Sequence, residues 1–282
     1  MVDDGGGSQR VASLEAVPAG VGAAAHRIVH GGVRFRDPVV VDDEVERELS
    51  ALAELAPLHA APAIDALRQA RERLPGVPHV AVFDTAFHAS IPEEASTYAV
   101  PRRWREEWGI RRYGFHGLSV QWAAEQVPVS RLVVCHLGGG CSVTAVLDGR
   151  SVDTTMGFTP LEGVPMATRS GSVDPGALLY LLRRELLSVG ELDHALEHES
   201  GLAALDGYDV YAYRIALAVG AMAAALDGID ALVFTGGVGE HVPEVREKIC
   251  ARLGHLGAFR VEVVAAREDV VAARAARTLL AG

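Results

Sequence analysis

Two glycine-rich segments are the residues best suited to bind a phosphate group. They are HLGGGCS at residues 136–142 and TGGVGE at residues 235–240. Backbone N–H groups of glycine can approach a phosphate closely, and a helix that follows the loop adds a favourable dipole. A glycine pair after a strand is also typical of a plain turn. Both interpretations stay open, although two such segments in one chain favour a nucleotide.

Two arginines lie in small-residue, turn-like surroundings. Arg27 stands in HRIVHGG and Arg169 in MATRSGSVDPG. The guanidinium group is always charged, and its fork can donate to two oxygens of a carboxylate or phosphoryl group. A structural ion pair is the competing interpretation, so the sequence leaves these arginines with two possible roles.

Carboxylates and histidines add further candidates. Asp84 and Glu268 could hold Mg²⁺ through water, because phosphoryl-transfer sites use one or two carboxylates in this way. The first half of the chain also contains His26, His30, His59, His88, His116 and His136. Their spacing gives no H-x-x-x-H pattern on a helix, so we expect hydrogen-bonded structural histidines and no zinc site.

Strands and helices that could position these residues alternate along the chain. Residues 79–87, HVAVFDTAF, predict a strand with Asp84 at its carboxyl end, where open α/β sheets place ligand-binding side chains. Residues 131–155 predict an antiparallel pair entered through a glycine loop, with a hairpin turn at residues 148–149. Residues 229–234 predict a buried strand that ends in the second glycine segment, which we expect to form a turn before the next helix.

Helical patterns occupy much of the remaining chain. Residues 44–55 and 63–73 predict amphipathic helices separated by PLHAAP, and residues 243–253 predict a helix that begins with proline. The apolar residues 215–226 indicate a buried helix too short to cross a bilayer. The first twenty residues lack periodicity, so we expect a poorly ordered lead-in or a short helix and no signal peptide.

Composition sets the broad class. With 282 residues, 49% of them hydrophobic, the chain can form two modest domains with cores. Its formal net charge of −11 disfavours nucleic acid and anionic membranes as partners. The three cysteines show no C-x-x-C spacing, which fits a reducing cytoplasm.

Ordered motifs then reveal a resemblance. They are HRIVHGG, LAPLHAAP, VAVFDTAFH, IRRYGFHG, HLGGGCSV, SVDTTMGFTPLEG, TRSGSVDPG, SGLAAL and IDALVFTGGVGE. From about residue 25 to the end, this order resembles the acetate kinase family. The resemblance implies an α/β fold with two ribonuclease-H-like domains of the actin, Hsp70 and sugar kinase type around a cleft, the first domain truncated. Residues 1–86 with helix 267–282 would form that domain, and residues 87–266 the nucleotide-binding and dimerisation domain.

The resemblance also implies a reaction and its residues. ATP and acetate would exchange a phosphoryl group to give acetyl phosphate and ADP, with Mg²⁺ or Mn²⁺ as cofactor and a homodimer as the assembly. Arg27 and Arg169 resemble the pair that binds the carboxylate and the migrating phosphoryl group, and His116 the histidine that hydrogen-bonds that group. Asp84 resembles the aspartate near the metal, and Glu268 the glutamate that holds it.

Further positions carry over in the same way. His59, Phe115 and Pro165 match substrate-cleft positions. The nucleotide-binding positions are His136, Leu137, Gly138, Gly139, Gly140, Gly236, Gly237, Val238, Gly239 and Glu240.

The sequence departs from the family pattern at several places. The opening N-x-G-S-S-S-x-K phosphate loop has no counterpart, since GGGS at residues 5–8 follows no strand and lacks the lysine. Gly139 replaces an asparagine, Val120 a histidine and His241 an asparagine. The three substitutions alter polar contacts and the missing loop removes several donors, and one preorganised donor is worth on the order of 10²–10³ in rate.

Two functional hypotheses follow. The first is a working kinase for acetate, propionate or another short acyl substrate, since Arg27, Arg169, His116, Asp84 and Glu268 are all present. The second is a catalytically impaired relative that binds nucleotide weakly or serves as a protein partner. Turnover with ATP, Mg²⁺ and acetate discriminates between them.

Overall fold

The computed structural model describes residues 2, 9, 17, 20–52 and 57–282, and the side chains of residues 57–61 lie outside that description. By its internal contacts the chain divides into two compact units. The first contains Met1–Ala89, Phe115–Trp122 and Arg267–Gly282, and the second contains Ser90–Gly114 and Ala123–Ala266. The first unit is therefore assembled from three separate stretches of sequence.

A three-stranded sheet forms the centre of the first unit. Strand β1 is Ala24–Ile28, β2 is Val39–Val40 and β3 is His79–Phe83, in the order β1-β3-β2. Strands β1 and β3 run parallel, with Arg27 opposite Val82, and β2 pairs antiparallel with β3. The carboxyl ends of β1 and β3 therefore meet at one edge of the sheet.

Helices cover both faces of this sheet. Because side chains alternate along a strand, the buried β3 sends Ala81 and Phe83 to one face and Val80 and Val82 to the other. Helix α1, Asp43–Leu52, and helix α2, Pro57–Arg73, pack on the first face through Leu49 and Leu67. The second face packs against α11, Glu268–Ala281, and the beginning of α5, Gly117–Gln126.

The second unit is built on a five-stranded sheet. Its strands are β4 Arg131–Leu137, β5 Cys141–Leu147, β6 Arg150–Thr154, β7 Ala231–Thr235 and β8 Arg260–Val263, in the order β6-β5-β4-β7-β8. The first three are antiparallel, while β4, β7 and β8 are parallel. Asp148 and Gly149 have φ of 47° and 78°, so both central turn residues are left-handed. The predicted antiparallel strands and hairpin turn are confirmed.

Seven further helices belong to the second unit. They are α3 Glu93–Ser96, α4 Arg102–Glu106, α6 Pro175–Arg183, α7 Val189–His198, α8 Asp209–Ala225, α9 Gly236–His241 and α10 Pro243–Cys250. Helix α8 contacts β4 and β5 and buries Ile215, Val219 and Met222, as its apolar sequence predicts. Within the described ranges, every helix falls short of the length and apolar character that a bilayer crossing requires.

Two local predictions are wrong. Helix α2 begins at Pro57 and contains Pro62, whereas PLHAAP was expected to interrupt the helix until residue 63. One proline removes one backbone donor, and the burial of Ile64 and Leu67 stabilises the helix that contains it. Gly236–His241 also forms helix α9 directly after β7, where the glycine pattern predicts a turn. Most of the first twenty residues, and residues 53–56, lie outside the described part of the chain.

Candidate active site

Arg27 and Asp84 form a salt bridge at the carboxyl edge of the first unit's sheet. The Arg27 Nε atom donates to Asp84 Oδ1 at 3.0 Å, and its Nη2 atom donates to Oδ2 at 2.7 Å. Parallel pairing of β1 with β3 brings the two residues together, and Asp84 N donates to Ile28 O at 3.0 Å. Asp84 is buried, while 42% of the Arg27 side chain is exposed. The guanidinium is therefore held by Asp84, while part of the Arg27 side chain stays exposed.

Glu268 completes a group of three charges. Its Oε1 atom lies 3.8 Å from Arg27 Nη1, because helix α11 begins at Glu268 and packs on this sheet. The charge of Asp84 raises the pKa of Arg27 further above its ordinary value, against the opposing effect of burial, and Glu268 adds to the increase. One guanidinium thus faces two carboxylates, and the predicted residues Arg27, Asp84 and Glu268 lie together.

His116 follows the buried Phe115 and precedes α5. Its φ is 62°, in the left-handed region that non-glycine residues seldom occupy. Gly117 N donates to Asp84 O at 2.8 Å, and a Cβ atom at Gly117 would overlap that oxygen. Asp84 is therefore bonded through its side chain to Arg27 and through its backbone to the residue after His116.

The turn that follows β3 also contacts the chain after β1 and the segment that contains His116. Thr85 Oγ1 accepts a hydrogen bond from Gly31 N at 3.1 Å. The His88 ring bonds Phe115 O through Nε2 at 2.8 Å, and burial lowers the pKa of His88 to about 4. Phe115 packs its ring edge against His30, with 5.4 Å between ring centroids. Predicted as a cleft residue, Phe115 is buried, with 1% of its surface exposed.

Another predicted cleft residue, His59, belongs to α2. Its side chain lies outside the described part of the structure. Its role stays a prediction.

The two glycine segments of the second unit lie side by side. Strands β4 and β7 are parallel, with His136 opposite Thr235, so the loop after β4 adjoins the start of α9. Gly138 N donates to Gly140 O at 3.0 Å, which closes the turn between β4 and β5. Gly236 has a φ of 79°, and a Cβ atom there would lie 2.8 Å from Leu137 O. Glycine is required at this close approach of the two backbones.

Glu240 braces the start of α9, and Arg246 braces its end. Glu240 Oε1 accepts from Gly236 N at 2.9 Å and from Ala266 N at 3.0 Å. Arg246 Nη1 donates to the carbonyl oxygens of Gly239 and Glu240 at 2.8 and 3.0 Å. The Glu240 carboxylate, predicted as a nucleotide-binding residue, thus binds backbone groups of its own unit.

Arg169 lies in the second unit and is also ion-paired. Its Nε atom lies 3.0 Å from Glu197 Oε2, and its Nη1 atom donates to Pro160 O at 3.3 Å. Only 12% of the Arg169 side chain and 14% of the Glu197 side chain are exposed. Desolvation raises the pKa of Glu197, while the charge of Arg169 lowers it. Pro165 is half-buried in the same loop region.

A polar cluster that the sequence pattern does not predict braces this loop. Arg112 Nη1 donates to the carbonyl oxygens of Thr154, Thr155 and Met156 at 2.7–3.1 Å, and its Nη2 atom donates to Glu162. Tyr98 also hydrogen-bonds Glu162. In the sequence, Glu162 is visible within PLEG at residues 160–163, but the pattern does not show that Arg112 and Tyr98 contact it.

A magnesium ion is compatible with the first unit on charge. Two carboxylates facing one guanidinium leave one negative charge over, and oxygen is the ligand that Mg²⁺ prefers. Among residues 2, 9, 17, 20–52 and 57–282, however, no group of three or more histidines, cysteines or acidic residues is placed to hold a metal. Any such ion would therefore need further ligands, such as phosphate or water oxygens, beside these two carboxylates.

Comparison with solved structures defines the class. A propionate kinase from Francisella tularensis superposes with a TM-score of 0.87 at 33% identity, covering 93% of this chain and 79% of that one. An acetate kinase from Porphyromonas gingivalis superposes with a TM-score of 0.84 at 33% identity, covering 99% and 82%. The protein thus has the α/β fold of the actin, Hsp70 and sugar kinase type, which confirms the predicted fold class.

Sequence comparison defines the family. The Acetokinase family profile matches residues 10–210 and 204–278. An acetate kinase from Protochlamydia amoebophila is 46% identical over 82% of this chain and 65% of its own length. Another from a Synechococcus species is 42% identical over 96% of this chain and 79% of its own. The chain belongs to the acetokinase family, and it spans about two thirds of the length of the Protochlamydia relative.

Proposed function

We propose that the protein is an acetate kinase, which transfers a phosphoryl group between ATP and acetate to give acetyl phosphate and ADP. The observation that carries the proposal is the group of Arg27, Asp84 and Glu268 at the carboxyl edge of the β1–β3 sheet. Membership of the acetokinase family supports the same reaction. In the forward direction a carboxylate oxygen of acetate forms a bond to the γ-phosphorus as the bond from that phosphorus to ADP breaks.

Arg27 is proposed to bind the carboxylate or the migrating phosphoryl group. Its contact with Asp84 fixes the plane of the guanidinium, while 42% of the side chain stays exposed to meet a ligand. His116 is proposed to donate a hydrogen bond to the phosphoryl group. Groups held in place before the reaction stabilise charge on the equatorial oxygens without reorganising.

The second unit is proposed to bind the nucleotide phosphates. The loop at residues 138–140 and the start of α9 adjoin one another, and the exposed Gly139 and Gly237 leave the backbone accessible there. Glu240 and Arg246 act here by holding the loop in shape. Arg169, fixed by Glu197, is proposed to bind the phosphoryl group. The change of the family asparagine to Gly139 removes one side-chain donor from this region.

We propose Mg²⁺, or Mn²⁺ in its place, as the cofactor. Glu268 would hold it, with Asp84 acting through water. When bound, such an ion would neutralise charge on the phosphate oxygens.

A coupled assay of the purified chain with ATP, Mg²⁺ and acetate tests the proposal. We expect turnover in the wild type and a loss on the order of 10²-fold or more in Arg27→Ala. Arg102→Ala is the matched control, because 80% of the Arg102 side chain is exposed and its partner Glu106 lies on the same helix. Turnover that is absent from the wild type, or equal in both arginine variants, would overturn the assignment.

Two alternatives have specific support. The similarity to a propionate kinase structure favours propionate as a second substrate, and kcat/KM for acetate and propionate shows which acid is preferred.

The departures at Gly139, Val120 and His241 favour an impaired relative. Calorimetry with ADP and Mg²⁺ separates a working kinase from an impaired relative, because nucleotide binding without turnover would support the impaired form.

We also propose that the protein forms a homodimer in the cytoplasm. Helix α6 supports the dimer: its sequence PGALLYLLR is strongly apolar, yet none of its nine residues, all of them described, is buried. Leu179 and Tyr180 are 47% and 57% exposed. An apolar helix face of this kind is typical of a protein interface. The cytoplasmic location stays a prediction from cysteine usage.

A further inference from the structure

We propose that His88 is a positioning residue, which holds the backbone of Phe115 and thereby sets the place of the His116 imidazole. The inference rests on the proposed function, in which His116 binds the migrating phosphoryl group. In this role His88 does not touch the reacting atoms. It acts through the segment at residues 115–117.

The first support is the hydrogen bond from His88 to the chain just before His116. His88 Nε2 lies 2.8 Å from Phe115 O, and 2% of the His88 surface is exposed. A carbonyl oxygen can only accept, so Nε2 carries the proton and donates. Burial lowers the pKa of His88 to about 4, so the ring is neutral at neutral pH.

The second support is the anchor on the other side of His116. Gly117 N donates to Asp84 O at 2.8 Å, and the space beside Gly117 is filled by Asp84 O and by Phe87 Cβ. His116 lies between the two anchors with φ at 62°. A side-chain residue keeps this conformation only when its surroundings impose it. The bonds at Phe115 and Gly117, on either side of His116, contribute to these surroundings.

Both anchors come from one turn of chain. Asp84 and His88 lie four residues apart in the segment after β3, and Ala86–Ser90 forms a 3-10 helix within it. Asp84 also holds Arg27 through its carboxylate. This turn thus links the placement of the Arg27 guanidinium to that of the His116 imidazole. Loss of the His88 bond should release His116 while leaving the Arg27 contact in place.

Substitutions that keep or remove the donor test the role. In the full chain, His88→Gln retains an N–H that can reach Phe115 O, whereas His88→Leu does not. We expect kcat to fall on the order of 10²-fold in His88→Leu, as misplacement by about 1 Å can do, with KM for ATP within about twofold. His88→Gln should stay within about threefold of the wild type.

A double-mutant cycle tests whether the effect passes through His116. His88→Leu combined with His116→Ala should be no slower than His116→Ala alone, because the imidazole to be positioned is already absent. Losses that multiply would show that His88 acts independently and would overturn the inference.

A measurement without turnover separates this inference from the proposed function. In ¹⁵N-histidine NMR spectra, the His116 signal is assigned by its absence from His116→Ala. It should shift in His88→Leu and stay in place in His88→Gln and in the control His79→Gln. An unchanged signal in His88→Leu would overturn the positioning role even in an active enzyme. If His88→Leu does not unfold cooperatively, His88→Asn replaces it, since its shorter amide cannot span the bond.

Discussion

Arg27 and Arg169 show how far the role of a side chain depends on its partner. Both are ion-paired, Arg27 with Asp84 and Arg169 with Glu197. The motifs predicted arginines suited to oxygen ligands and left a structural ion pair open. The structure shows that the two interpretations are compatible for Arg27, because its guanidinium is fixed and still 42% exposed. The sequence could not identify Asp84 as the partner, since the pair is 57 residues apart and depends on strand register.

Gly117 gives a prediction about one missing side chain. In Gly117→Ala the new Cβ would overlap Asp84 O and lie 3.0 Å from Phe87 Cβ, so the Gly117–Asp84 hydrogen bond must lengthen. We expect a loss of about 2–3 kcal/mol in the free energy of unfolding, from overpacking and the weakened bond. Urea unfolding measures it.

Gly76→Ala is the control for this substitution. A Cβ atom at Gly76 meets nothing within 4 Å, and this glycine belongs to the same unit. Its free energy of unfolding should change by less than about 0.5 kcal/mol. Equal changes in the two variants would mean that the contact at Asp84 does not constrain Gly117.

His26 makes a pH-dependent contribution to stability. Burial, and to a smaller extent the charge of the nearby His79, lowers the pKa of His26 from 6.5 to about 4. Because the folded pKa is depressed, the unfolded state binds more protons below pH 6.5. The contribution is complete above that pH and is lost as the pH falls towards 4.

Thermal unfolding between pH 7 and 4.5 measures this effect. We expect the wild type to lose at most about 3 kcal/mol through His26, and His26→Gln to show a shallower decrease over the same range. The variant removes the titrating group while keeping a polar side chain. Parallel curves for the two proteins would contradict the assignment to His26.

At the scale of elements, the hydrophobic pattern predicted the strands better than the helices. The runs at β3, β4 and β7 are continuous and apolar because these strands are buried on both faces, and the hairpin turn after β5 is carried by Asp148 and Gly149. The sequence pattern gives helix α2 the wrong start, because the prolines of PLHAAP predict a break and Pro62 lies inside the helix. Whether a proline interrupts a helix depends on packing against residues distant in sequence, and the local pattern does not contain that information.

Helix α9 depends on one carboxylate. Glu240 Oε1 accepts from Gly236 N and Ala266 N, which ties the start of α9 to the end of the second unit. Glu240→Ala would leave both donors without this acceptor, and we expect a loss of about 2–3 kcal/mol in the free energy of unfolding. Glu240→Gln keeps an amide oxygen in the same place and should lose less than about 1.5 kcal/mol.

Calorimetry with ADP extends this prediction to the nucleotide. If Glu240 holds the loop in shape, affinity should fall in Glu240→Ala and largely persist in Glu240→Gln. A direct role for its negative charge would instead make the two variants equally weak.

At the scale of the whole molecule, composition says only that the chain is long enough for two modest domains, and the internal contacts divide it into two compact units. Their boundaries depend on long-range packing. Phe115–Trp122 belongs with the first unit because Leu118 packs with Val80, Val82 and Val271, residues from other parts of the chain. The order of elements along the chain does not show that the final helix belongs to the first domain. Only the family resemblance indicates it.

Helix α6 supplies the prediction for the assembly. If its apolar face is covered by a second copy, Leu179→Asp must bury a charge in the interface or prevent it from forming. We expect the wild type to sediment as a dimer and Leu179→Asp as a monomer, with dimer affinity reduced about 100-fold or more. Leu147→Asp is the matched control, because Leu147 is 38% exposed at the end of β5 in the same unit. A monomeric wild type at micromolar concentration, or equal dissociation in both variants, would show that α6 is not the dimer interface.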